Sequence, residues 1–124
     1  MAMTQSKVGV RQGDRGSLHR FVETGAANIA LTATMPAIGG SFRLVLVTVS
    51  YSAAPTQAGV STTLDSGAGA GYDATLNTGS ANTRYNAYQP SQEMILGSDD
   101  AIVVAAPAGG AGITAAVSIY VEKL

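Results

Sequence analysis

From residue 18 onward the chain is a succession of short apolar or alternating runs, and Gly, Pro, Asn or Ser closes nearly every one. Residues 18–24 and 28–34 read as two short strands, the second with Ile29, Leu31 and Ala33 on one side. Met35-Pro36 and Gly39-Gly40 end that run. The segment FRLVLVTVSY at 42–51 is the richest in β-branched and aromatic residues and predicts a strand of about 33 Å. Strict alternation puts Phe42, Leu44 and Leu46 on one of its faces and Val45, Val47, Val49 and Tyr51 on the other. With both faces apolar, a central strand covered on each side is expected. Runs at 60–64, 72–77, 83–88, 93–96 and 101–105 continue the pattern. The last run, 113–121, sets Ile113, Ala115, Val117, Ile119 and Val121 against Thr114, Ser118, Tyr120 and the following Glu122, which predicts a half-buried strand.

No stretch joins helical periodicity to a cap and a run of good helix formers, despite the many alanines. The pattern therefore predicts an all-β domain over residues 18–124: an antiparallel β-sandwich, of jelly-roll type, with about eight strands. The low-complexity segment SGAGAGY at 66–72 occurs once, so it reads as a flexible turn between two strands and not as a silk-type crystallite.

Residues 1–17 differ from the rest. Up to residue 20 the chain holds Lys7, Arg11, Arg15 and Arg20 against Asp14 alone, a local charge of +3, while the remainder carries −4. The first 17 residues are polar, contain Gly9, Gly13 and Gly16, and read as an extended or flexible N-terminal arm, either a frayed end or a segment that orders on a partner.

Only 12% of residues are charged, against about a quarter in an ordinary domain. So little charge on a chain that is 46% hydrophobic implies that much of its surface meets other protein. A net charge of −1 gives no bulk attraction for a polyanion, so no nucleic-acid partner is expected. No window approaches the length of an apolar span, and the first residues lack the apolar core of a secretory leader. The reading is a soluble protein without a membrane partner. The absence of Cys removes disulfides, thiolate nucleophiles and sulfur-bound zinc.

Catalytic chemistry finds little support. His19 is the one imidazole, and without a G-x-S-x-G turn it reads as an ordinary surface or interface residue. Asp65, Asp73, Asp99 and Asp100 flank loops but lack calcium-loop spacing, so no metal is expected. Gly67 to Gly71 alternate with Ala and precede a strand-like segment, not the helix that a phosphate loop needs, so no cofactor is expected. The string Thr63-Leu64-Asp65-Ser66-Gly67-Ala68 resembles the active-site turn of retropepsin-type aspartic proteases, which would require two Asp65 carboxylates sharing a proton. That family continues after a Met94-Ile95-Leu96-Gly97-like segment into a helix, whereas here residues 101–105 read as a strand, so the protease remains a remote alternative.

The second half carries a different likeness. The run VSTTLDSGAGAGYDATL, then Tyr88-Gln89-Pro90, Glu93-Met94-Ile95-Leu96 and Asp99-Asp100-Ala101-Ile102-Val103-Val104, resembles small jelly-roll structural proteins of tailed bacteriophages. It covers residues 42–124; the turn more usual there, Gly-Asp, is replaced by Ser98-Asp99-Asp100. The resemblance implies a non-enzymatic capsid decoration, or cement, protein on the outer surface of the virion, made in the host cytoplasm. It also implies the major capsid protein and further copies of the chain, as a homotrimer, for partners. On that reading Lys7, Arg11 and Arg15 are candidates for charge-assisted contacts and Tyr72, Tyr85 and Tyr88 for interface anchors. The alternative class is a carbohydrate- or receptor-binding β-sandwich of a head spike or tail, which the absence of Trp counts against.

Overall fold

A computed structural model describes residues 3–10 and 17–124, with backbone alone for residues 6–10 and 17. The described chain is all-β: β1 (Thr4–Val10), β2 (Ser17–Thr24), β3 (Leu31–Met35), β4 (Phe42–Tyr51), β5 (Ser61–Asp65), β6 (Ala74–Thr78), β7 (Tyr85–Tyr88), β8 (Ile95–Leu96), β9 (Ala101–Ala106) and β10 (Ala115–Lys123). Every pairing is antiparallel. One sheet runs β1-β2-β10-β4-β7, with β8 on the same edge of β4 as β7, and the other runs β3-β9-β5-β6.

The pairings nest. β5 pairs β6, β4 pairs β7 and β8, β3 pairs β9, and β2 pairs β10. A long hairpin folded at the glycine-rich turn 66–73 and then rolled into two facing sheets gives this order, which is the jelly roll. The sequence pattern anticipated it, with about eight strands where the described residues hold ten. The segment expected to be an arm contains β1, which lies on β2 from Thr4↔Val22 to Val10↔Ser17. Tyr72, expected to open a strand, instead closes a 3₁₀ turn at Ala70–Tyr72, and β6 starts at Ala74.

The main correction concerns β4. Its burial is not alternating: Phe42 and Leu44 are buried, Val45 and Leu46 both half-buried, and Val47, Val49 and Tyr51 buried again. The register with β10 explains why, because Tyr120 faces Leu46 while Val121 faces Leu44, leaving Val45 as an extra residue. This β-bulge reverses the side-chain parity, so Phe42, Leu44, Val47, Val49 and Tyr51 all point into one core. The strand is central, but it is covered on one face only. Strict alternation could not show that two apolar sets of opposite parity belong to the same side.

The core lies between the sheets. Val117, Ile119 and Val121 of β10 meet Ile102 and Val104 of β9, Met35 of β3 and Phe42 of β4, all fully buried. Each such side chain contributes about 1.5–3 kcal/mol of hydrophobic stabilisation. Two polar residues of β2 share this inner face. His19, expected at the surface, stands opposite Val121 and is buried; Gln5 Nε2 lies 2.9 Å from its Nδ1 and donates to it when the ring carries its proton on Nε2. Glu23, opposite Val117, is buried as well, and its Oε1 has no partner among the described residues.

Candidate contact surface

The two ends of the sandwich are built differently. At the first end lie the starts of β4 and β9, the ends of β5, β8 and β10, and the strand ends Val10 and Ser17. Here the two motifs that the sequence offered separately come together. Asp100 Oδ2 accepts from Gly97 N at 2.8 Å, and Asp100 N donates back to Gly97 O at 3.2 Å, which closes the turn before β9. Its other oxygen, Oδ1, accepts from Gly67 N at 3.0 Å, which ties that turn to the glycine-rich one. Two amide donors on one carboxylate hold its pKa below the ordinary 3.8. The glycine-rich turn is further ordered by Asp73 Oδ1, which accepts from Ser66 N at 2.8 Å, and by Ser66 Oγ, which accepts from Ala68 N. The segment that composition presents as flexible is thus a braced turn.

That turn displays Tyr72, which is 71% exposed. Ile95, 51% exposed, stands beside Arg43 on β8, immediately before the Asp100 turn. Leu124 N bonds Ser41 O, placing the exposed Leu124 next to the start of β4. Three of the five large apolar residues that are exposed among the described residues therefore belong to one end, the other two being Ile29 and Tyr85. Tyr85, paired with Ser50, projects from the outer face of β7 near the opposite end. Tyr88, paired with Val47, turns inward and packs against the core cluster. The structure thus separates the three tyrosines that the sequence grouped together. The Lys7 backbone faces His19 in β1, but its side chain, like Arg11 and Arg15, lies outside the described residues. Ile95 was missed in sequence because a two-residue strand carries no periodicity to show which of Ile95 and Leu96 is buried.

The outer face of the larger sheet carries a flat polar array. Arg43 Nε donates to Glu122 Oε1 at 3.2 Å. Arg20 donates to Ser118 Oγ through Nη2 at 3.2 Å, and its guanidinium lies 5.8 Å from the Tyr120 ring centroid. These long side chains cover Ser118 and Glu122, which are buried although they point away from the core. On the other sheet, Thr32, Thr34, Ser61, Thr63, Val103 and Ala105 make an outer face of small, uncharged side chains.

Asp65, the residue of the protease-like string, is exposed at the end of β5. Among the described residues no group of three His, Asp or Glu side chains is placed to hold a metal ion. What the geometry provides is surface: an end braced by hydrogen bonds with exposed apolar side chains, one sheet face of paired polar and charged groups and one of small, uncharged side chains. No protein-family model matches the chain, and no curated protein does.

Proposed function

We propose that this chain is a non-enzymatic structural protein of a phage virion, a decoration or cement protein that binds the outside of the assembled head. The observation that carries the reading is the braced end, where Asp100 locks two turns together beneath exposed Tyr72 and Ile95. Apolar side chains held outward on a stiffened turn lose little conformational entropy on docking, which is what an interface anchor requires. The jelly-roll order of the strands and the resemblance to phage structural proteins agree with this role. A lattice-bound protein gains affinity from modest contacts repeated by symmetry, and its partners here are the major capsid protein and neighbouring copies in a homotrimer. Arg11 and Arg15, which lie outside the described residues, are the further candidates for charge-assisted contacts.

The test is co-sedimentation with heads of the corresponding phage prepared without this protein. The wild-type chain is expected to bind saturably, and a Tyr72→Ser, Ile95→Ser double variant to bind at least about tenfold more weakly, the loss of two anchors worth roughly 1 kcal/mol each. Arg11→Ser with Arg15→Ser is expected to weaken binding most at low salt. Absence of saturable binding, or a double variant that binds like wild type, overturns the proposal.

A further inference from the structure

The edge of β4 is interrupted. β7 pairs with it at Val47 to Ser50 and β8 at Phe42 and Arg43, and between them residues 89–94 leave the sheet, held by a bond from Leu44 N to Met94 O. The excursion has a concavity on each side: a groove of about 420 Å³ against Tyr88, Met94 and Ile95, and a smaller one of about 170 Å³ against Arg43, Leu44 and Val45. Both share Pro90, Ser91, Gln92 and Glu93, and the larger falls within the size range of small-molecule sites. The Val45 bulge that reorders the core also carries Val45 to the wall of the smaller groove.

The chemistry of the walls is specific. Among the described residues the side chains of Gln89, Ser91, Gln92 and Glu93 hold no hydrogen bond or ion pair with protein, and all four are exposed. Nearby, Gln57 and Asn86 donate to backbone carbonyls and Arg84 to two of them. The larger groove offers an amide, a hydroxyl and a carboxylate, from Gln92, Ser91 and Glu93, beside Tyr88 and Met94, and Gln89 adds a second amide on the smaller one. The Arg43 charge is balanced by Glu122, so neither groove presents the surplus positive charge that an anion needs.

We propose that the paired grooves around residues 89–94 form a binding site for a neutral saccharide, with Gln92 and Glu93 hydrogen-bonding ring hydroxyls and the Tyr88 ring stacking on a sugar face. Amide and carboxylate pairs match vicinal hydroxyls, and an aromatic floor matches the apolar face of a pyranose. The polar side chains of this site, Gln92 and Glu93, take no part in the contact end, although Ile95 borders both.

The experiment is a ¹H–¹⁵N NMR titration of the full chain with maltotriose, cellotriose, triacetylchitotriose and mannotriose, with hexalysine and hexaglutamate as charged controls. At least one oligosaccharide is expected to shift the amides of Tyr88 to Ile95 and Arg43 to Val45 with millimolar affinity. Gln92→Ala and Glu93→Gln are each expected to weaken that binding about tenfold while keeping the wild-type melting temperature. No oligosaccharide response, shifts confined to other regions, binding unaltered in both variants, or hexalysine occupying these grooves in preference to the sugars would each overturn the proposal.

Discussion

The segment SGAGAGY contains three glycines that composition treats alike and the structure treats differently. Gly67 packs against the Asp99 main chain: a methyl group there would meet the Asp99 side chain and stand 2.6 Å from the Asp99 carbonyl oxygen. Gly69 has open space around it but adopts φ 116° and ψ 168°, a region essentially reserved for glycine. Gly71, within the 3₁₀ turn, has open space and no such backbone constraint. Replacing each by Ala separates these causes. Gly67→Ala forces the two braced turns apart at a cost of about 1–3 kcal/mol from overpacking, and weakens the bond to Asp100 as well. Gly69→Ala costs about 1–3 kcal/mol in backbone strain. Gly71→Ala is expected to be neutral or to stabilise by up to about 1 kcal/mol, by reducing the freedom of the unfolded chain. Urea and thermal unfolding followed by far-UV circular dichroism resolve these differences, since 1 kcal/mol moves the midpoint by roughly 3–6 °C in a domain of this size. In an Asp100→Ala background the Gly67→Ala penalty should shrink, because the bond it disturbs is already gone. If Gly67→Ala proves as stable as Gly71→Ala, the two turns are not braced against each other and the argument for a stiffened contact end fails.

Other consequences follow from single residues. The Asp100 pKa is lowered in the folded state, so its contribution to stability is complete above about pH 4 and is lost as pH falls through the folded value; Asp100→Asn should flatten that acid limb in urea unfolding measured from pH 5 to pH 2. Parity across the β4 bulge makes Leu46→Thr nearly neutral and Val47→Thr destabilising by about 1–3 kcal/mol; equal costs would contradict the bulge. Glu23 is buried without a partner among the described residues, so Glu23→Met should raise stability by about 1–3 kcal/mol in urea unfolding, and a loss would mean that the carboxylate is compensated.

Much of the fold was legible because a sandwich leaves a strong local trace. In β10 the residues anticipated to share a face were legible: Ala115, Val117, Ile119 and Val121 are buried in the core and Ile113, just before the strand, packs against it half-buried, although Ser118 and Glu122 of the other face are buried too. The turns between strands are marked by Gly, Pro and Asn, which is why the succession of strands along the chain could be anticipated. The bulge in β4 was not legible, since inserting one residue into an apolar run changes parity without changing composition. His19 misled for a related reason: it alternates as a polar residue of a surface strand does, but its register with β10 turns it inward, as it does Glu23. The contact end was half legible. Both of its motifs stood in the sequence, but the bond between Gly67 and Asp100 joins residues far apart in the chain, and no local pattern records it.

Cryo-electron microscopy of phage heads saturated with the purified chain tests the central claim most directly. Density for a jelly roll on the outer surface is expected, oriented so that the turns carrying Tyr72 and Ile95 rest against the shell. Heads that remain bare, or density in which the opposite end, with Ile29 and Tyr85, makes the contact, would contradict it.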